Sequence, residues 1–380
     1  MNILTLTPFF PNQLDGAQGC FVSEPLVALS KIGVEGTVLF AQPFYRAARH
    51  PLSDAVPAEL VRYLSLSGGW GLSSAGAFLF ASALKRLRRL HSEKRIDLIH
   101  AHAPLPCGHA AMLLAEELKI PYVVSVHGLD AYSTNQVRGI TGEWCRRVSQ
   151  RVYRLAKRVI CVSNQVAEEV LAGGPAIRTS VVYNGVDSEL FFPGDEPASP
   201  PQSILSIANL IPIKGHETLL RTVAAMASQY PELHLEIVGD GPERERLAAL
   251  ARELRVDQRV RFSGRKTRRE VAQLLRDCVL FALPSKYEGL GCVYLEAMSS
   301  GKVAIGCRGQ GIEEIIRHGF DGWLVSPDNV QELGTALATL LSNVALRDNI
   351  EMRARQTVLQ RLTLTHQAVQ LRQVYEEVSS

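Results

Sequence analysis

The densest grouping of reactive side chains runs from Pro284 to Gly301, PSKYEGLGCVYLEAMSSG. Glu288 sits in a glycine-bordered loop just after an apolar strand-like run, and Glu296 follows eight positions later inside the apolar helical stretch Cys292–Met298. A carboxylate among apolar neighbours needs a partner or a ligand hydroxyl. Gly291 and Cys292, at the start of that stretch, are where backbone amides can hold an anion. Lys214 lies in NLIPIKGH, between a strand and a helix that opens at Gly215. A lysine beside a helix N-terminus can meet a phosphate, and an ordinary solvated lysine is the alternative. His127, in VSVHGLD, ends a buried strand and is followed by Gly128 and Asp130, the rim position for a ligand in an α/β layer. His100 and His102 compete for the same role, and a solitary histidine can equally be structural. The loop Pro8–Gly19 carries Gly16 and Gly19, which suit either a structural turn or an anion-binding loop.

These side chains must be held by two series of short strands alternating with helices. The first takes in strands at Asn2–Thr7, Val34–Ala41, Asp97–His100 and Tyr122–Val126, with helical spacing over Phe21–Lys31, Ala110–Leu118 and Cys145–Ala156. The second takes in strands at Ser203–Ala208, Leu233–Val238, Val260–Phe262, Val279–Ala282 and Val303–Ile305. Its helices are Gly215–Ser228, Glu243–Leu254 and Arg268–Arg276. Strands of this length between helices predict mostly parallel sheets. Residues 193–202, PGDEPASPPQ, hold four prolines and read as a linker. After Val330 the pattern is helical over Gln331–Leu341, Val344–Thr357 and Gln367–Val378. The expected division is a domain over 1–192, a second over 203–360, and a terminal helix over 361–380.

The length of 380 residues exceeds what one hydrophobic core usually supports, which agrees with two domains. Net charge is +3, from 41 basic and 38 acidic side chains, so a polyelectrolyte role on nucleic acid has little support. Residues 1–194 carry 19 basic and 15 acidic groups, or +4, leaving −1 for the rest. Two basic stretches, Lys85–Arg95 and Arg138–Arg158, make an anionic bilayer a candidate partner for the first half, against the plainer reading of solvated helix faces. Seven cysteines without a CxxC pair read as free thiols, with no zinc-ligand spacing and no metal expected. The start MNILTLTPFF lacks a basic n-region, and the uncharged stretch Tyr63–Leu84 holds five Ser and four Gly. Neither reads as an export signal or a spanning helix, so the expectation is a cytoplasmic protein, peripheral on the membrane's cytoplasmic face if bound there.

The ordered motifs resemble those of retaining GT-B glycosyltransferases of family 4, the glycosyl transferases group 1. EGLGCVYLEAMSSG, with seven residues between its two glutamates, is the most specific. NLIPIKGHETLL, VVYNGVD and GIEEIIRHGFDGWLVSP appear in the family's order. The resemblance implies two facing Rossmann-like, doubly wound domains with a cleft between them, the first binding the acceptor and the second a UDP- or GDP-linked sugar. By position, Glu296 would hold the ribose hydroxyls, Glu288 the donor sugar, and Lys214 the diphosphate. Leu290, Gly291 and Cys292 at the helix start would assist Lys214. Gly16 and Gly19 would border the leaving phosphate, Gly264 and Arg265 the nucleobase, and His127 with Asp130 the acceptor side. Many relatives carry an Arg where this chain has Asn209, which leaves Lys214 with a neutral donor beside it. No cofactor or metal is implied; lysine and backbone amides would take a cation's place.

The chemistry so implied is transfer of a sugar to a glycan, a lipid-linked glycan or a small acceptor, with retention at the anomeric carbon. Rivals are a GT-B-like sugar epimerase and a catalytically weakened carbohydrate-binding or membrane-associated protein.

Overall fold

The computed structural model describes residues 1–53, 55–69, 71–131, 137, 139–174, 176–194 and 202–379. The chain forms two compact units. The first is Met1–Asn184 together with the C-terminal residues from Leu364 on, and the second is Gly185–Thr363. The chain changes unit ahead of the proline-rich segment, of which residues 195–201 lie outside the described set.

In the first unit seven strands form one parallel sheet. They are β1 (Asn2–Thr7), β2 (Glu35–Pro43), β3 (Ala58–Tyr63), β4 (Leu98–His102), β5 (Tyr122–Val126), β6 (Arg158–Cys161) and β7 (Thr179–Val181). Their order is β3-β2-β1-β4-β5-β6-β7. Helices α1 (Cys20–Lys31), α2 (Leu72–Glu93), α3 (His109–Leu118), α4 (Gly139–Leu155) and α5 (Asn164–Leu171) cover it. Strands such as β4 and β5 are buried at every position, the signature of a parallel sheet covered on both faces. The uncharged stretch that raised the membrane question becomes a loop and the start of α2. Ala75, Leu79, Ala83 and Leu87 recur every four residues along α2 and are buried against the unit. Among the described residues no helix is long and apolar enough to cross a membrane.

The second unit repeats the plan with β8 (Ser203–Ile207), β9 (His234–Val238), β10 (Val260–Gly264), β11 (Leu280–Ala282), β12 (Val303–Cys307) and β13 (Trp323–Val325). The order is β10-β9-β8-β11-β12-β13, all parallel. Its helices are α6 (His216–Met226), α7 (Arg244–Glu253), α8 (Arg268–Asp277), α9 (Cys292–Ser299), α10 (Val330–Ser342) and α11 (Val344–Arg361). Several begin on side-chain caps: Thr267 and Glu270 form a reciprocal capping box on α8, and Asn329 and Asn343 cap α10 and α11. The last helix, α12 (Leu364–Ser379), belongs to the first unit. Its Ala368, Leu371, Val374 and Tyr375 join Val22, Leu26 and Leu29 of α1 in that unit's core.

In each sheet the first strand in sequence lies beside the fourth, with the second and third on its other flank. At this reversal the loops leaving the two central strands diverge to opposite faces and open a crevice at the carboxyl edge. In the second unit that point lies between β8 and β11, and in the first between β1 and β4. Five short elements escaped the sequence reading: β3, β6, β7, β13 and α5.

Candidate functional site

In the second unit, Lys214 leaves the loop after β8 and Glu288 the loop after β11, the two strands flanking the reversal. Lys214 Nζ donates to Glu288 Oε2 at 2.5 Å. Their side chains are only 13% and 16% exposed, so salt screens this pair weakly. The two loops are stitched together by backbone as well, since the Lys286 N–H donates to the Ile213 carbonyl at 2.8 Å. Gly215 makes that closeness possible. It holds φ +73°, and a Cβ there would lie 2.0 Å from the Pro284 carbonyl oxygen. Glu288 is fixed from a third side by the loop after β12. Its N–H donates to Gln310 Oε1 at 3.0 Å, and its carbonyl accepts from the Gly311 N–H at 3.0 Å.

Glu296, one face of α9, is buried at 4% exposure and accepts a hydrogen bond from Arg268 on the first turn of α8. The guanidinium of Arg268 also lies 4.7 Å above the Phe191 ring. Gly291 stands at the N-cap of α9, with its Cβ position 3.1 Å from the Glu288 carboxyl carbon. Leu290 is buried and Cys292 half-buried on the same turn. At the neighbouring strand ends, Gly264 holds φ +66° and its carbonyl accepts from the Gly239 N–H at 2.8 Å. Asn209 and Arg265 are exposed beside these turns.

The first unit collects a different group. His102 ends β4 with His100 two positions before it, and His127 follows β5. His102 Nδ1 and His127 Nε2 share a hydrogen bond at 3.0 Å, with their rings 5° from parallel. His100 stacks on His102 at 4.4 Å between centroids, and bonds Tyr375 Oη through Nδ1 and Ser125 Oγ through Nε2, both at 2.7 Å. The three imidazoles therefore form one stack. Burial pushes His100 down to about 3, His127 down to about 4, and His102 well below the usual imidazole range. Asp130 Oδ1 accepts from the His127 N–H at 2.9 Å, and burial raises the Asp130 carboxyl to about 6. Phe9 and Phe21, flanking the first loop, set their rings 6.2 and 4.7 Å from that of His127. In that loop Gly19 is required: at φ +71° its Cβ would fall 2.5 Å from the Phe9 carbonyl carbon. Gly16 has open space instead.

The profile of the family Glycosyl transferases group 1 matches residues 188–357, and that of Glycosyltransferase Family 4 matches residues 28–190. Together they span residues 28–357, from the end of α1 into α11. The chain belongs to glycosyltransferase family 4.

This glycosyltransferase is 29% identical to D-inositol 3-phosphate glycosyltransferase 2 of Catenulispora acidiphila over 86% of its own length and 82% of the relative's. It is 27% identical to glycogen synthase of Mycobacterium tuberculosis over 94% and 90%. Among solved structures it resembles Anabaena HepE in complex with UDP-glucose at a TM-score of 0.75 and 21% identity, covering 99% of this chain and 100% of that one. That likeness gives the glycosyltransferase the GT-B fold.

The motif positions singled out in the sequence fall into two sets. Lys214, Glu288 and Gly291 gather at the reversal of the second sheet, with Glu296 on α9, while His127 and Asp130 belong to the first unit with Gly16 and Gly19. Two residues of the glycosyltransferase were missed as partners. Arg268 was read only as a helix start, although Thr-x-x-Glu at 267–270 places it on the first turn of α8. Tyr375 lies 275 positions from its partner His100, beyond any local pattern.

Proposed function

We propose that this glycosyltransferase takes a sugar from a UDP- or GDP-linked donor and passes it, with retention, to a hydroxyl of a glycan, a lipid-linked glycan or a small acceptor. The second unit would bind the donor and the first the acceptor. The observation that carries the reading is the Lys214–Glu288 pair, held between the two central strands of a sheet ordered like dinucleotide-binding sheets. The HepE complex with UDP-glucose supports the same ligand class.

On this reading the Lys214 ammonium exchanges Glu288 for the diphosphate, and Glu288 turns to a hydroxyl of the transferred sugar. The positive end of α9 behind Gly291 adds a fixed dipole towards the phosphates. Glu296, oriented by Arg268, takes the ribose diol; Asn209 donates one neutral hydrogen bond, and Gly264 and Arg265 border the base. As the bond from the anomeric carbon to the phosphate oxygen breaks, negative charge grows on the diphosphate, where Lys214 lowers its energy. The acceptor hydroxyl attacks the same face, and its proton passes to the departing phosphate oxygen. His127 and Asp130 then stand on the acceptor side.

The test is release of nucleoside diphosphate by the purified protein across common UDP- and GDP-sugars, with and without candidate acceptors, followed by NMR of the product's anomeric configuration. Release with the donor's configuration preserved is expected. Neither release nor binding with any of these donors would overturn the reading.

Peripheral binding to an anionic bilayer, part of the same proposal, would rest on α4 rather than α2. The basic residues of the α2 stretch are largely neutralised: Arg86 and Arg89 pair with Glu59, Arg88 with Glu117, and Lys94 with Glu35. On α4, Ile140 is 91% and Trp144 57% exposed, and Arg151 continues the stripe at helical spacing, whereas Arg147 is paired with Glu143. Co-sedimentation with anionic vesicles should fall at least ~3-fold in Trp144→Ala and vanish for neutral vesicles. Equal sedimentation by both proteins, or none, would remove the membrane from the account.

A further inference from the structure

His127 carries one hydrogen bond that the reaction does not explain, the one from its Nε2 to His102 Nδ1. Both imidazoles are held neutral at pH 7 by burial. Two neutral rings sharing one hydrogen bond leave a single proton between them, and its owner fixes which nitrogen His127 presents elsewhere. If His102 supplies the proton, His127 is the Nδ1–H tautomer. If His127 supplies it, Nδ1 is a bare lone pair.

The surroundings of Nδ1 decide between these. It is buried with no hydrogen-bond partner among the described residues. Asp130, three positions on, already takes the His127 backbone N–H through Oδ1, and its Oδ2 is likewise buried and unpaired. A protonated Nδ1 would therefore be a buried donor with no acceptor among the described residues. A buried N–H without an acceptor is also a rarer defect than an under-used lone pair. We propose that His102 is a positioning residue: it accepts the Nε2 proton of His127 and so presents the bare Nδ1 of His127 as a hydrogen-bond acceptor for a substrate hydroxyl.

His102 can do this because its own ring is immobilised. It stacks on His100, which is pinned at one nitrogen by Ser125 of β5 and at the other by Tyr375 of α12. The histidines and Tyr375 line a cavity of about 20 Å³, room for a single water and no sugar. The stack is therefore support for the outermost ring rather than a second substrate site. Tyr375 gives the returning C-terminal helix a part in this, as it ties α12 to the strand that bears His100 and His102.

The kinetic part of this inference rests on the glycosyl-transfer reading, and the tautomer does not. Long-range ¹H–¹⁵N NMR of ¹⁵N-histidine-labelled protein at pH 7.5 reads the tautomer without any substrate, with the His127 signals assigned by their loss in His127→Asn. The expected pattern is a protonated Nε2 and a bare Nδ1 on His127, with a bare Nδ1 on His102. An Nδ1–H form of His127 would overturn the proposal. His102→Leu should mix the His127 tautomers and lower kcat ~10-fold or more, with KM for the donor within ~3-fold. His102→Asn, whose side-chain carbonyl can accept the same proton, should recover most of that rate. A His102→Leu protein that keeps both the wild-type tautomer and the wild-type kcat would also overturn it. The predicted tautomer in a protein that releases no diphosphate from any donor would leave His102 as assigned and remove the transferase reading instead.

Discussion

At the residue scale, the second unit's ionisable groups divide by what holds them. Lys214 and Glu288 hold one another, both carried on loops, and either can turn to a ligand. Glu296 is fixed from behind by Arg268, and taking the arginine away would strand a buried carboxylate. Stranding one partner of a buried ion pair costs roughly 3–5 kcal/mol. Arg268→Ala should therefore lower the melting temperature of the protein and weaken nucleotide binding together, and Arg268→Lys should restore part of both. Calorimetry of UDP and GDP binding beside thermal unfolding checks this. A variant with wild-type stability and affinity would show that Arg268 neither supports nor orients Glu296. The spacing of the two glutamates and the lysine after β8 could be read directly because each motif is contiguous in sequence. The partnership of Arg268 with Glu296 could not, since 28 positions and the strand β11 separate them.

At the element scale, the site depends on how closely the loop into α6 approaches the loop after β11. Gly215 is the gauge of that approach. Gly319 offers a matched comparison, with φ +71° against +73° but nothing within 4 Å of its Cβ position. Alanine at Gly319 should cost only the left-handed backbone, about 1–2 kcal/mol. Alanine at Gly215 adds a clash with the Pro284 carbonyl and should cost more than about 3 kcal/mol, with loss of donor binding. Equal losses in denaturant unfolding would mean the two loops are free to part. The sequence reading placed the strands and helices that frame this junction, because buried parallel strands and amphipathic helices keep their periods locally. It missed β13 and the edge strand β3, the latter broken up by Glu59 and Arg62. It also treated His100, His102 and His127 as competitors for one role, because the stacking of neighbouring strand ends is set by sheet register and not by spacing along the chain.

At the scale of the whole molecule, the fold repeats one sheet plan twice and distributes its buried histidines unevenly. His100, His102 and His127 lie in the first unit and His216 in the second, all with imidazoles pushed down by burial, His216 to about 4. Each contributes stability that is complete above pH 6.5 and is lost as the pH falls towards its folded value. Asp130 and Glu351 act in the opposite sense, since burial raises them to about 6 and about 7 and protonation relieves that cost. Four histidines outweigh two carboxyls, so the melting temperature should be lower at pH 5 than at pH 7. A rise on acidification would contradict a neutral histidine stack. Family membership and fold were legible from the ordered motifs, whereas the change of unit between Asn184 and Gly185 was hidden by the stronger proline signal downstream. The central claim is that Lys214 serves the departing diphosphate while Glu296 holds the nucleoside. The most direct measurement compares Lys214→Ala and Glu296→Ala with the wild type, each assayed for nucleotide affinity by calorimetry and for diphosphate release at saturating donor. The account predicts that Lys214→Ala loses ~100-fold or more in turnover with a smaller loss of nucleotide affinity, and that Glu296→Ala weakens binding ~10-fold or more. Wild-type affinity and turnover in both variants would contradict it.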